Sequence, residues 1–338
     1  MTQSESQIEL LEPPPVGVVV EDKVAGVAGQ SPTRLALGRF RKDRLSMIAF
    51  VVVAFYVVAA ILAPILVKFD VIHPTALNPT LLNVDLGGVP NGAWGGMTWH
   101  HLLGLEPRTG TDLLSRLWYG MTFSLTIALT ASVVAIVIGT VLGIISGFSG
   151  GIVDAVIGRM VDVTLSFPQT LMLLALSATG VALFAKILPG SQSDPLPNAV
   201  YEVLLLGLFG WPGIARLIRG QVLSIREREF VDAARLLGAS RSRLYFKEIL
   251  PNLWAPVLVQ FTLIMPAYIS AEAALGYLGV GIHVPTPTIG NILKDSVNYS
   301  QADFGYFFFP ALLLAIIVVS FNLLGDGIGD ALDPKADR

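Results

Sequence analysis

The sequence predicts an all-α polytopic membrane protein: six transmembrane helices, both termini on the cytoplasmic side, and a helix-turn-helix projecting on that same side. Three observations predict it. First, the 338 residues are 53% hydrophobic and only 14% charged, against roughly 25% charged in soluble domains. Second, mean hydropathy is +0.68, more apolar surface than one soluble core can hide, so lipid must replace much of the interior. Third, the Lys and Arg residues alternate in density between successive connections, and loop charge sets orientation in a bilayer. Soluble enzymes are excluded on these grounds. The lack of cysteine excludes disulfides, thiolate metal sites and cysteine nucleophiles.

Residues 1–33 carry Pro13, Pro14 and Pro15, several Glu and Gly, and no periodicity. They cannot bury enough apolar area to offset chain entropy, and a disordered cytoplasmic tail is expected. No apolar run lies near Met1, so no cleavable signal peptide is expected. Residues 34–68 hold a basic collar, Arg39, Arg41, Lys42 and Arg44, followed by an uncharged run from Met47 to Val67. At about 1.5 Å per residue that run crosses a hydrocarbon core of about 30 Å and forms the first span. Residues 69–118 are polar and are expected outside as an extracytoplasmic loop.

Residues 119–325 carry the other five spans. The second opens the uncharged run at Met121 and is expected to end near Gly147, with a Gly-rich loop after it. Gly139, Gly143 and Gly147 recur every four residues within it, so three missing side chains share one helix face; in lipid such a face lets a neighbouring helix approach closely. The third span is read as one helix over Val163–Ala185, the fifth within Ile249–Ala271 and the sixth over Phe304–Gly325. The fourth has only Val203–Ala215 free of charge and must recruit Pro197–Tyr201 to cross. Residues 326–338 form a cytoplasmic tail. Orientation follows from the basic residues: 17 of 22 lie before the first span, between the second and third, from Arg216 to Lys247, or in the tail. Lys68, Arg108, Arg116, Lys186 and Lys294 fall on the other side.

The densest motif is Glu229-Phe230-Val-Asp232-Ala233-Ala234-Arg235-Leu-Leu-Gly238-Ala239-Ser240, continuing to Leu250-Pro251. Its first half has helical propensity, Gly238 is placed to close that helix in a left-handed conformation, and Ser240 can cap a second helix. A DNA-binding helix-turn-helix has this look, but a segment hemmed between two spans has no third helix to complete a reading head, so no nucleic-acid partner is expected.

The segment resembles the EAA loop of ATP-binding-cassette importer permeases: Asp232-Ala233-Ala234, Gly238 and Leu250-Pro251 fall at the family's spacing, with Asp232 in place of the usual Glu and Glu248 at a usually aliphatic position. The resemblance covers nearly the whole chain after residue 33 and is closest to the dipeptide and oligopeptide C-type permeases of the peptide/nickel importers. It is carried also by Gly110-Thr111-Asp112 with Ser115-Arg116, by Leu165-Ser166-Phe167-Pro168, by Glu272 through Gly279, and by Asn322 through Gly327 with Leu332-Asp333-Pro334. The resemblance implies a bacterial inner-membrane subunit forming half of a pathway for peptides or similar small solutes, with residues of about 219–252 as a coupling loop. It implies a second permease in a heterodimer, two ATP-binding subunits and an extracytoplasmic substrate-binding protein. No G-x-x-x-x-G-K-[ST] phosphate loop occurs in the chain, so no cofactor is expected here, and ATP and Mg²⁺ belong to the partner ATPases.

Other residues carry weaker signals. Glu272 at the edge of the fifth span would line the solute path, serve as a gate, or be an interfacial carboxylate bonded to the outer loop. Asp162 and Glu202 read as interfacial. His73, His100, His101 and His283 share the outer side without ligand-like spacing, so no metal site is expected. No Ser/His/Asp arrangement or paired carboxylate supports catalysis. The rival classes are a secondary transporter, which would carry ionisable groups near the midplane and broken inverted repeats, and a channel subunit, which leaves the 229–251 motif without a use.

Overall fold

The computed structural model describes residues 32–188 and 195–332; the expected N-terminal tail lies outside them up to residue 31, as does the chain beyond 332. Six helices among the described residues are long and apolar enough to cross a membrane, as the composition demands. Helix α1 (Pro32–Lys42) carries Arg39, Arg41 and Lys42 of the basic collar, and α2 (Arg44–Lys68) opens on Arg44. Asp43 caps α2, accepting from the backbone N–H of Leu45 and Ser46 at 3.2 Å each. Pro64 in α2 cannot donate to the carbonyl of Ala60. Thr122 of the next helix supplies that bond at 2.8 Å, and Trp118 Nε1 donates to Ala59 at 2.7 Å.

Residues 69–112 fold into a compact cap with one short antiparallel pair, β1 (Leu82–Asn83) and β2 (Val89–Pro90). From it rises α3 (Leu113–Ser149), capped by Asp112, whose carboxylate accepts from Ser115 N–H at 2.8 Å. Then follow α4 (Gly151–Ser166), α5 (Gln169–Ile187), α6 (Pro195–Ile225), α7 (Glu229–Leu236), α8 (Arg241–Arg243), α9 (Trp254–Leu278), α10 (Ile289–Val297) and α11 (Phe304–Leu332). Successive spans alternate in direction. One end of the bundle therefore gathers α1, α7 and α8, and the other gathers the 69–112 cap and α10.

The heart of the bundle is α3 laid along α6, and the glycine row makes it possible. A Cβ on Gly139 would stand 2.6 Å from Ile214 Cβ and 2.9 Å from the carbonyl of Trp211. On Gly143 it would lie 2.8 Å from both Ala215 O and Ile218 Cβ, and on Gly147 2.9 Å from Arg219 O and Val222 Cβ. No side chain fits at these positions, so the backbones meet along the whole contact.

Several expected boundaries are corrected. The third span is not one helix over Val163–Ala185: the chain leaves α4 at Phe167, and Pro168 starts α5, because the residue before proline is driven out of helical geometry. The Gly-rich loop expected after Gly147 is only a turn at Gly150, with φ 65°, before α4 begins. Helices also outrun their uncharged runs. α3 starts at Leu113 and keeps Arg116 in its first turns because Glu106 pairs with it at 3.4 Å; α6 continues past Arg216 and Arg219 because Asp162 and Asp154 meet them at 3.0 and 2.6 Å. The fifth span is shifted to Trp254–Leu278, so Glu272 is inside the helix and not at its edge. The sixth continues to Leu332, with Asp326 and Asp330 exposed on its last turns, so the tail expected from residue 326 is helical over its first part.

Candidate functional site

The 229–251 segment adopts the predicted helix-turn-helix, with a modified second helix. α7 is amphipathic and buries only Val231, while Glu229, Phe230, Asp232, Ala233 and Arg235 face outward. Arg235 pairs with Asp232 at 3.1 Å along the helix. Gly238 has φ 76°, the left-handed conformation that closes the helix, and its N–H donates to Arg235 O at 2.9 Å. Ser240 caps the next turn, accepting from Arg243 N–H at 3.3 Å. Beyond Arg243 the helix widens into a π-helical stretch, Leu244–Ile249, and then tightens into a 3₁₀ turn over Leu250–Asn252. Pro251 lies in that tight turn, consistent with its lack of an N–H. Ala234, Ala239 and Leu250 are partly buried against the bundle core, and Leu244 and Ile249 are fully buried.

The turn presents an apolar tip. Leu236 and Leu237 are 89% and 87% exposed, and Phe246 stands out nearby. The sequence offered no reason to single out this leucine pair: in a helix of that pattern the same residues read as the buried stripe. The segment's base, in contrast, is tied to α3 as well as to its neighbours α6 and α9. Tyr245 meets Phe148 edge-on with ring centroids 5.2 Å apart and its hydroxyl is 3.1 Å from Ser149 Oγ. The Arg235 guanidinium lies 4.8 Å above the Phe148 ring, and Arg226 Nη1 donates to Gly147 O at 3.0 Å. The turn is thus anchored at its base to the end of α3.

Asp154 reinforces that end. Its carboxylate receives Arg219 Nε and Nη2 at 2.6 Å each and Ser146 Oγ at 2.5 Å, joining α4, α6 and α3. The Arg219 hydrogen bonds hold its pKa down at about 2. Asp162 is exposed and pairs with Arg216 at 3.0 Å.

Glu202 does not behave as an interfacial residue. It and Glu272 are both fully buried, on α6 and α9, close enough for their charges to interact. No hydrogen bond of ordinary geometry reaches their carboxylate oxygens among the described residues, although the hydroxyls of Ser124 and Thr288 lie beside Glu272. The sequence kept these residues apart, since nothing in a linear pattern brings positions on two different spans together. Glu272 therefore lies in the bundle interior, with Thr288 of the connection that follows α9 beside it. The histidines remain loop residues: His101 Nδ1 lies 3.1 Å from Asp112 and His73 Nδ1 3.2 Å from Asp70. Among the described residues no group of three or more His, Cys, Asp or Glu could hold a metal ion.

Comparison with known proteins adds the following. Residues 139–338 match the family model of the binding-protein-dependent transport system inner membrane component, and residues 31–80 match that of the N-terminal TM domain of oligopeptide transport permease C. The dipeptide transport system permease protein DppC of Alkalihalophilus pseudofirmus is 32% identical over 326 residues, 96% of each chain. DppC of Escherichia coli K12 is 42% identical over 235 residues, 70% of this chain and 73% of that one. The oligopeptide transport system permease protein OppC of Bacillus subtilis is 33% identical over 67% of this chain and 69% of its own. Among solved structures, an inward-facing form of the MetNI methionine ABC transporter superposes with a TM-score of 0.50 at 20% identity, covering 65% of this chain and 98% of that one; at that identity the likeness concerns the fold.

Proposed function

The chain belongs to the inner-membrane permeases of binding-protein-dependent ATP-binding-cassette importers, a transport subunit and not an enzyme, and from that premise we propose that it forms half of a translocation pathway for dipeptides, oligopeptides or similar small solutes. A second permease forms the other half, two ATP-binding subunits supply ATP hydrolysis with Mg²⁺, and an extracytoplasmic binding protein delivers the solute. The setting is a bacterial inner membrane with both termini inside, a reading that the distribution of basic residues supports.

The observation that carries the coupling role is the bare leucine tip at 236–237 on a rigidly based turn. An exposed apolar pair at the end of a short amphipathic helix has the form of a knob for a partner's groove. The base, held by Phe148, Tyr245 and Arg226, would turn groove movement into rigid-body motion of α3, α6 and α9. Glu272 enters this reading as a gating residue, not a pathway lining: fully buried beside Glu202, it meets solute only when α6 and α9 separate.

Because the chain has no cysteine, single introduced thiols give a clean test. Leu237→Cys should cross-link to an ATPase subunit in the purified complex, and an impermeant reagent should label Asn91→Cys but not Ser240→Cys in intact cells. A Leu237→Cys thiol that reaches no ATPase subunit would remove the coupling role; labelling at Ser240→Cys would reverse the orientation.

A further inference from the structure

At the end of the bundle opposite α7, the 69–112 cap, α10 and the start of α11 enclose a cleft of about 830 Å³. Its chemistry is unlike the rest of this apolar molecule. Glu106 is 4% exposed and saturated: its Oε1 accepts from Tyr306 at 2.7 Å and its Oε2 from Thr109 at 2.7 Å and Thr111 at 2.5 Å. That same Oε2 also holds Arg116 Nη1 at 3.4 Å. Arg116 is equally buried, at 4% exposed, and lines the cleft, yet its Nε and Nη2 have no hydrogen-bond partner among the described residues.

Those two nitrogens share one edge of the guanidinium, the edge that grips a carboxylate with two parallel bonds. Leaving such donors bare in a buried position is costly unless something comes to use them. Glu106 explains why the arginine is fixed in place but leaves the gripping edge free. Two further charges complete the surface. Arg108, held at φ 69°, in the left-handed region uncommon for a residue with a Cβ, lies on the cleft's exposed rim. Asp295 of α10 also lines the cleft; burial pushes its carboxyl above the ordinary aspartate value and the Glu106 charge adds to this, while the Arg116, Lys294 and Arg108 charges partly offset it.

We propose that this cleft is a binding site for a small zwitterion, its carboxylate gripped by the free edge of Arg116 with Arg108 at the rim and its ammonium group against Asp295. The proposal rests on the import reading above and deepens it. Free peptide termini carry this pair of charges, and in the inferred orientation the cleft opens on the face where solute is delivered. A rim contact from a docked protein would not need a buried guanidinium with two unpartnered nitrogens.

The test uses the full-length chain in its complex with its partner subunits, in lipid nanodiscs without the binding protein, and three probes: dialanine, dialanine amide and N-acetyl-dialanine, followed by saturation-transfer NMR titration. Wild type should bind dialanine about tenfold more tightly than either blocked form, the value of one charge-assisted bond. Arg116→Lys, which keeps the charge beside Glu106 but loses the fork, should abolish the preference over the amide alone. Asp295→Asn should abolish the preference over the acetylated probe alone, and it serves if Arg116→Lys fails to accumulate in membranes. Equal binding of all three probes by wild type, no binding, or an unchanged preference in the variants would overturn the site. So would loss of binding-protein docking in Arg116→Lys with dialanine binding intact. ATP-driven uptake of dialanine by wild-type proteoliposomes with the binding protein restored is the separate control: its absence sinks the import reading, and its presence with no cleft binding sinks only this site.

Discussion

Helices α3 and α5 are both apolar enough to span a bilayer, with mean hydropathies of 2.5 and 1.8 over their most apolar windows, yet 56% of that window is buried in α3 and 6% in α5. Apolarity does not distinguish them because lipid rewards both. Side-chain size does. α3 presents Gly139, Gly143, Gly147, Ala128, Ala131 and Ala135 to its neighbours, and the absent side chains let α6 come into backbone contact. α5 buries only Leu173 and leaves Leu171, Leu176 and Leu183 exposed. In a membrane protein, contact follows small residues and polar partners, and the large apolar face marks what touches lipid or another subunit.

The comparison can be broken most severely at Gly143. Gly143→Leu would press a side chain against Ala215 O and Ile218, each already within 2.8 Å of the first added carbon. The expected loss is about 3 kcal/mol, the upper end for overpacking, read as disappearance of intact complex from membranes. Leu142→Ala beside it, which trims a side chain partly buried against Trp211 and Ala215, should disrupt the complex less, and equal yields for the two would show that the α3–α6 contact is not close. Next in size, Gly238→Val forces a β-branched residue into φ 76°, at a cost of roughly 1–2 kcal/mol. No atom lies within 4 Å of the added Cβ, so the cost is local to the turn and the spans should insert normally. Cargo-stimulated ATPase activity of the reconstituted complex should fall by up to about tenfold; a normal stimulated rate would deny the turn a coupling role.

A smaller effect is expected at the ion pair that braces α4 and α6. Asp154→Asn should cost about 1 kcal/mol, since Arg219 is partly solvated. Its folded pKa of about 2 lies below the ordinary 3.8, so the stabilisation is complete above about pH 3.8 and is lost as pH falls through 2. Melting curves of wild type and Asp154→Asn should differ at pH 6 and converge in that acid window. The smallest change belongs to α5: Leu183→Ala, 54% exposed in wild type, should shift the melting of the isolated chain by no more than about 0.5 kcal/mol. A larger shift would mean that α5 is packed within this chain after all.

The sequence exposed those features that depend on local chemistry. Apolar runs revealed the six spans, the four-residue glycine spacing revealed the packing face, and Gly238 followed by Ser240 revealed the turn, because each is written in consecutive or near-consecutive residues. Features made by pairs of distant residues were hidden. A run of uncharged residues stops at Arg116, Arg216 and Arg219, but the helices do not, since Glu106, Asp162 and Asp154 neutralise these positions from elsewhere in the chain. Glu202 and Glu272 each looked peripheral, and only their meeting inside the bundle makes them notable. The break at Phe167–Pro168 was written in the proline, but the continuous apolarity around it obscured the signal.

The bond between Thr122 and the Ala60 carbonyl also has a consequence for synthesis. Pro64 empties that carbonyl of its helical partner, and the hydroxyl that replaces it lies 62 residues further along the chain. At ordinary rates of translation, α2 waits about 3 to 12 seconds before Thr122 exists, with a polar oxygen that costs several kcal/mol if left bare in lipid. During that interval the first span is an unfinished helix, best kept beside the insertion machinery until its successor arrives. The proline thus sets an order of assembly: α2 and α3 are completed as a pair, before the rest of the bundle has been made.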